Sequence, residues 1–225
     1  MLFVKDNFIT DPDLTAQILG DSSFFPEAMG GGNLGATLNE FHYEQADCYA
    51  PYMFWDGWEN SRADTLKKRV IEKIWRNSEY LGFDEKDVAG FEYWTRSFSP
   101  GQWLGIHVDE DTFRYSAEKY FHGPAIGCVW YGFSEARGGY LEIHEKGLAE
   151  GENQLEREVV DALTSPIENR ERIAYKPNRL VVFDAGHRLH ETTPVTDGVK
   201  QVMVVNVWLK SSPPVALQTS EFFYE

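Results

Sequence analysis

Residues 90–109 read GFEYWTRSFSPGQWLGIHVD, and here the apolar pattern changes from a helical period to a period of two. Gly90–Phe98 and Trp103–Val108 therefore read as strands, joined by the turn Ser99-Pro100-Gly101. Working outward, the same signature recurs at Ala125–Phe133, Gly139–His144, Arg179–Asp184 and Lys200–Leu209. These runs are rich in Val, Ile, Phe, Tyr and Trp and are bounded by Gly, Pro or charged turns. Many short strands without regular helices between them favour an antiparallel barrel or jelly roll over a parallel α/β sheet.

Upstream of this run the pattern is mixed. Leu2–Val4 reads as a short strand. Asp13–Leu19 reads as a helix capped by Thr10 or Asp11, with Pro12 at its first position. A longer helix is expected from Ser61 to Leu81, with Asp64 completing a capping box. Leu66, Val70, Ile74 and Leu81 form its stripe, Ile71 and Trp75 lie beside it, and Gly82 ends it. Such a rod belongs against the outside of a sheet. Gly30-Gly31-Gly32 reads as a flexible joint, and the aromatic run Tyr49–Trp58 as a plug at one end of the barrel, since exposed aromatic area is unfavourable. Glu145–Asn178 reads as an acidic, partly helical insert with Leu155, Val159 and Leu163 on one stripe.

Charge and cysteine usage narrow the function classes. The 225-residue chain carries 21 Lys plus Arg against 36 Asp plus Glu, a net charge of −15, which repels a phosphate backbone and argues against nucleic acid as a partner. Cys48 and Cys128 alone do not make a disulfide framework. The N-terminus lacks a signal-peptide pattern and no stretch reaches the length of a membrane span, so a cytoplasmic protein without a membrane partner is expected.

The chemistry concentrates in the second half. Alternation along Trp103–Asp109 puts Leu104, Ile106 and Val108 on one face and His107 with Asp109 on the other, their Cα atoms about 7 Å apart. An imidazole and a carboxylate so placed converge on one cation. His190 follows the strand Arg179–Asp184 and precedes Pro194-Val195, so a neighbouring strand can deliver it as the third ligand. Two histidines and one carboxylate leave open coordination positions, as a non-haem iron(II) centre requires, although zinc accepts a similar set in hydrolases. Lys200 starts the next apolar strand ten residues after His190. An ammonium aimed into a barrel needs an anion, and a dicarboxylate chelating the metal at one end would supply it.

These residues carry a resemblance to the prolyl 4-hydroxylase-like branch of the iron(II) and 2-oxoglutarate-dependent oxygenases. Ser99-Pro100-Gly101 leading to His107-Val108-Asp109 is similar to that family's turn and HxD motif, and Gly138-Gly139-Tyr140-Leu141 to its GGxL strand. Lys176–Phe183 resembles the strand before the distal histidine, and His190, Pro194-Val195, Gly198 and Lys200 keep the family's spacing. The same spacing favours His190 over its neighbour His187. Two departures stand out: Phe98 occupies the place of a common cosubstrate tyrosine, and Trp208 comes two residues later than usual.

The resemblance implies a mainly β protein with flanking helices, a double-stranded β-helix (a jelly roll or cupin-like barrel) with N-terminal helices on its outer sheet. It implies one oxygenase domain over residues 1–225: 1–88 as helical support and aromatic loop, 89–210 as the jelly-roll core with the insert 145–178, and 211–225 as a tail. His107, Asp109 and His190 would hold Fe(II) and serve as the catalytic centre. Lys200 would bind the far carboxylate of 2-oxoglutarate, with Tyr131 as a second contact. The expected activity is a dioxygenase that uses O2 to hydroxylate an unactivated C–H bond, releasing succinate and CO2. Its substrate would be a small molecule or a peptide, with prolyl or other peptidyl residues foremost. The rival readings are a zinc-dependent, hydrolase-type cupin enzyme and a non-catalytic jelly-roll binding module. Arg96, Trp103 and Arg188 stand as further residues within reach of a substrate. His42, His122 and His144 lack partners at ligand spacing.

Overall fold

The computed structural model describes residues 1–27, 53–76, 78–79, 82–111, 114, 121–147 and 169–214. Cys48, His42, the Gly30–Gly32 joint, the first four residues of the aromatic run, the Leu155, Val159 and Leu163 stripe and the tail beyond 214 lie outside these residues.

The chain opens with β1 (Leu2–Lys5) and α1 (Pro12–Gly20). Asp11 caps α1 by accepting the amides of Asp13 and Leu14 at 2.9 and 3.1 Å, and Pro12 sits where a missing N–H has no cost. Next come β2 (Met53–Trp55) and α2 (Leu66–Trp75). The remaining strands are β3 (Val88–Phe98), β4 (Leu104–His107), β5 (Ile126–Tyr131), β6 (Ala136–Gly138), β7 (Leu141–Gly147), β8 (Arg170–Ile173), β9 (Leu180–Phe183), β10 (Arg188–Thr192), β11 (Val195–Gly198) and β12 (Lys200–Leu209).

They form a jelly roll. A six-stranded sheet in the order β1-β9-β5-β12-β3-β2 faces a four-stranded sheet β4-β10-β7-β8, with β6 and β11 as a separate ribbon. The described strand pairings are antiparallel. Side-chain alternation divides the apolar residues into two layers. Outward residues of the large sheet, such as Phe91, Tyr93, Trp130 and Val205, pack with Leu14 and Ile18 of α1 and Val70, Ile71, Ile74 and Trp75 of α2. Inward residues, including Phe98, Tyr131, Val181, Phe183 and Val202, pack with Leu141 and Ile143 of β7 to fill the space between the sheets. Complete burial of an apolar side chain of this size contributes roughly 1.5–3 kcal/mol, so the outer layer is as much a part of the stability as the barrel core.

Several expectations are corrected. Helix α2 begins at Leu66, not Ser61, because Thr65 caps it by accepting the Lys68 amide. Ser61 instead accepts Trp55 Nε1 at 2.7 Å and donates to Asp56, which ties the preceding loop together rather than starting a helix. The described part of the aromatic run is not a plug. Met53–Trp55 extends the large sheet beside β3, and Trp55 and Trp58 stack with Phe91 in the outer layer at 5.6 and 5.2 Å. The described end of the insert supplies β8 as a partner for β7, while its middle lies outside the described residues.

The N-terminal segment is fastened by Asn178, which adopts a left-handed φ of 56°. Its side chain accepts the Ile9 amide and donates to the Ile9 carbonyl, both at 2.9 Å, while its own carbonyl accepts the Phe8 amide. Asp6 adds ion pairs to Lys176 and Arg179 at 2.7 and 2.6 Å, which hold its carboxyl well below the ordinary range.

Candidate metal centre

His107 ends β4 and His190 lies in the middle of β10, and the two are register partners across the small sheet. Asp109 lies just past the end of β4, where its amide donates to the Ala185 carbonyl at 2.9 Å. The alternation expected to run through Asp109 thus stops at His107, and this hydrogen bond to the segment after β9 positions the carboxylate instead.

Both imidazoles are oriented by the same local device. His107 Nδ1 lies 2.7 Å from the Gly105 carbonyl, and His190 Nδ1 lies 2.9 Å from the Arg188 carbonyl. A carbonyl only accepts, so each Nδ1 carries the proton and each Nε2 presents a lone pair. The two Nε2 atoms face Asp109 Oδ1 at 3.6 and 3.8 Å. One ligand atom from each of the three residues falls within 4.8 Å of the others, a grouping able to hold a metal ion. With bonds of about 2.1 Å, octahedral ligand edges are about 3.0 Å, so a small inward movement completes the shell.

Electrostatics favour a cation here. Burial pushes the Asp109 carboxyl up, against the pull of His107 and of the Asn206 side chain. Burial and repulsion from His107 push His190 well below the ordinary histidine value, leaving it neutral and ready to ligate. A buried carboxylate faced by two imidazole Nε2 atoms gains most from a positive ion.

Lys200 opens β12 and is 1% exposed. Its ammonium donates to the Gly139 carbonyl at 2.8 Å and to Thr192 Oγ1 at 3.2 Å, and lies over the rings of Phe98 and Tyr131 at 5.5 and 5.3 Å. It forms no ion pair among the described residues, and burial brings its pKa down to about 7. Gly139, at φ 59°, allows the close approach, since a Cβ there would lie 2.9 Å from Lys200 Cδ. The Tyr131 hydroxyl is fully buried with no hydrogen-bond partner among the described residues, and burial raises its pKa.

One cavity joins these groups. Its walls include His107, Asp109, His190, Lys200, Tyr131 and Arg96. Every proposed site residue therefore faces the same space. His187 does not line it. Its Nδ1 pairs with Asp184 Oδ1 at 2.8 Å. His122 contacts Ser212 and His144 contacts Glu191, also outside the cavity. Of the three residues considered for substrate contact, Arg96 alone lines the cavity. Arg188 instead binds the His144 carbonyl and Glu171, tying β10 to β7 and β8.

Four residues were missed. Thr192 and Trp94 line the cavity, and Glu92 and Asn206 are buried register partners on β3 and β12 joined at 3.4 Å. The period of two was the available signal. Glu92, Trp94 and Arg96 share the inward face of β3 with Phe98, and Asn206 shares that of β12 with Lys200 and Val202. Burial leaves the Glu92 carboxyl with a pKa of about 8, with Asp109 adding to the rise.

No family model matches the sequence, and no curated protein matches it. Among solved structures the chain is similar to a prolyl-4-hydroxylase from Pseudomonas putida, at 15% identity and a TM-score of 0.49, covering 93% of this chain and 92% of that one. It is also similar to an oxidoreductase of the 2OG-Fe(II) oxygenase family from Burkholderia pseudomallei, at 12% identity, TM-score 0.35, 56% of this chain and 45% of that one. A prolyl 4-hydroxylase from Phytophthora capsici gives 11% identity, TM-score 0.43, 96% of this chain and 61% of that one. The chain spans less than two thirds of the latter two proteins.

Proposed function

We propose that this protein is an iron(II)- and 2-oxoglutarate-dependent dioxygenase that hydroxylates an unactivated C–H bond, a prolyl or other peptidyl residue being the substrate class its sequence motifs favour. The observation that carries the reading is the pairing, in one cavity, of a three-residue ligand group with a buried ammonium that has no counter-anion among the described residues. A zinc hydrolase gives Lys200 no task. A dicarboxylate gives it one, and its far carboxylate would also meet the Tyr131 hydroxyl, which has no hydrogen-bond partner among the described residues.

The donor set fits the group. His107, Asp109 and His190 would hold the metal through Nε2, a carboxylate oxygen and Nε2, leaving positions for a chelating cosubstrate and oxygen. When bound, iron(II) with 2-oxoglutarate supplies the oxidising power of O2, one oxygen atom ending in succinate with loss of CO2 and the other in the product hydroxyl. The chain's own residues bind and orient. The Gly105 and Arg188 carbonyls fix both imidazoles, and Thr192 and the Gly139 carbonyl aim the Lys200 ammonium. Phe98, Phe183 and Leu141 exclude water around them. The protein is taken as one unit acting on a peptide or small molecule in a reducing compartment. Cys128, buried with its thiol pKa pushed up, is in keeping with that. No described helix is long and apolar enough to cross a membrane.

The test is oxygen uptake and succinate formation by the purified chain supplied with iron(II) and 2-oxoglutarate, followed by a screen of peptides for hydroxylated products. Turnover is expected to disappear in Asp109→Ala. Tight zinc binding without oxygen uptake, or full succinate formation by Asp109→Ala, would overturn the reading.

A further inference from the structure

We propose that Arg96 is the residue that selects the substrate, by gripping a carboxylate that the substrate carries. The inference rests on the reading that His107, Asp109 and His190 hold the metal and Lys200 the cosubstrate, and goes beyond it by naming the chemical group that the substrate presents.

Strand register lays out the floor of the cavity. On the large sheet Val202 is paired with Tyr131 of β5 on one side and with Arg96 of β3 on the other, so these three form one row, and Lys200 with Phe98 begins the next. With strands about 4.8 Å apart, Tyr131 and Arg96 stand about 10 Å apart at Cα, with Val202 between them. Lys200 and Tyr131 make one polar station, the ammonium lying 5.3 Å from the Tyr131 ring. Arg96 makes another. Its guanidinium carbon is 5.8 Å from the Phe98 ring centroid, which is 5.5 Å from the Lys200 ammonium. The two stations thus share the Phe98 ring and are divided by Val202. Both cations line the same cavity, and Arg96 is only 6% exposed.

A dicarboxylate that chelates the metal has one far carboxylate, and Lys200 with Tyr131 takes it. Arg96 is left for a different anion. Among the described lining residues Asp109 is the one carboxylate, set against the cations Arg96 and Lys200. A divalent metal and a dianionic cosubstrate cancel each other's charge, so the loaded cavity keeps a positive charge in excess, which burial makes unfavourable until an anion meets it. A guanidinium carries five N–H donors in a fixed fork, so contacts within the protein leave donors for a carboxylate, which it grips through two parallel hydrogen bonds. The route of entry agrees. Trp94 on β3 and Leu104 and His107 on β4 are half-exposed lining residues, whereas Lys200, Tyr131 and Thr192 are buried. A substrate that enters after the cosubstrate therefore meets β3, with Trp94 as an apolar wall and Arg96 next along the same inward face.

The experiment measures, by calorimetry, the binding of two matched pairs of probes to the chain loaded with Mn2+ and 2-oxoglutarate. N-acetyl-L-proline against N-acetyl-L-prolinamide tests a terminal carboxylate. The amidated dipeptides acetyl-Pro-Glu and acetyl-Pro-Gln test a side-chain one. In wild type the acid of one pair is expected to bind about tenfold or more tightly than its neutral partner. Arg96→Met should abolish that difference by weakening the acid alone, and should weaken 2-oxoglutarate far less than Lys200→Ala does. Arg96→Lys, which keeps the charge but not the fork, should retain part of the preference. If Arg96→Met does not fold, Arg96→Lys carries the comparison, and an unreduced preference there would overturn the assignment. No preference for the acid in either pair, whether binding is equal or undetectable, would overturn it while leaving the metal site standing. So would an acid preference that survives in folded Arg96→Met, or a loss of 2-oxoglutarate affinity there as large as in Lys200→Ala, which would make Arg96 a cosubstrate contact. Absence of Mn2+ or 2-oxoglutarate binding by wild type would overturn the underlying site and the selection with it.

Discussion

His107 and His190 are opposite one another in the small sheet, their ring centroids 4.2 Å apart, and each ring is held by the backbone carbonyl two residues before it. A one-residue slip between β4 and β10 would send one ring to the outer face, so the ligand pair depends on strand register as much as on its own identity.

Between these rings the unliganded protein buries an acid, and removing that acid should favour the empty fold. Asp109→Ala is expected to raise the melting temperature of the metal-free protein by about 2–4 °C, the equivalent of about 1 kcal/mol in a chain of this size. It should also abolish the stabilisation that Mn2+ gives to wild type. Calorimetric scans with and without Mn2+ check both halves.

Lys200 should couple cosubstrate binding to protons. With its pKa near 7 in the free protein, it is mostly neutral at pH 8 and must be protonated to meet a carboxylate. Binding of 2-oxoglutarate at pH 8 is therefore expected to take up a proton and to weaken as pH rises further. Calorimetry in buffers of different ionisation enthalpy measures the uptake. Lys200→Ala should remove it and weaken 2-oxoglutarate by about thirtyfold, roughly 2 kcal/mol, with Mn2+ affinity unchanged.

Stability against pH should show a minimum. Glu92 has its folded pKa raised from 4.5 to about 8, so its contribution is fully present below pH 4.5 and is lost as pH rises through 8. Lys200 has its folded pKa lowered from 10.5 to about 7, so its contribution is present above pH 10.5 and is lost as pH falls through 7. The two losses meet between pH 7 and 8. Urea titrations of the metal-free protein should find the trough there, with Glu92→Gln flattening the acid limb and Lys200→Met the alkaline one.

Two glycines separate a structural cost from a functional one. Gly139 at φ 59° and Gly198 at φ 73° both leave no room for a Cβ, which would lie 2.9 Å from Lys200 Cδ in the first case and 2.3 Å from the Glu135 carbonyl in the second. Alanine at either should cost about 1–3 kcal/mol in a denaturant titration. Only Gly139→Ala should also weaken 2-oxoglutarate, because it displaces the lysine that binds it.

Asn178→Ala should cost about 2–4 kcal/mol, since it removes the side-chain bonds to Ile9 and Trp130 and places alanine at φ 56°. Mn2+ affinity should not change, and the same denaturant and calorimetric measurements check this.

Much of the architecture was legible because alternation is a strong signal in a half-buried strand. Lys200–Leu209 has the bounds expected, and the other six strand candidates differ from the observed ones by a few residues at their ends. The grouping of His107, Asp109, His190 and Lys200 around one cavity was readable because residue type and spacing both pointed to it. The short strands β2, β6, β8, β10 and β11 were missed, being too brief or too polar for a pattern to form. Ser61 read as a helix cap because its sequence context matches one, but Trp55 and Asp56 compete for its hydroxyl, and that contact depends on tertiary structure. Asn206 and Glu92 escaped for a similar reason. Each is one polar residue in an apolar strand, and only strand pairing shows that they meet.

Strand β1 covers the outer side of β9, whose four residues are all buried, and the clasp of Asp6 and Asn178 keeps it there. A protease that clipped the chain after Lys5 would uncover a short, greasy ribbon with open amides, ready to template another copy of itself. The first symptom of such damage would be clouding of the solution, arriving while the chemistry inside the barrel was still intact.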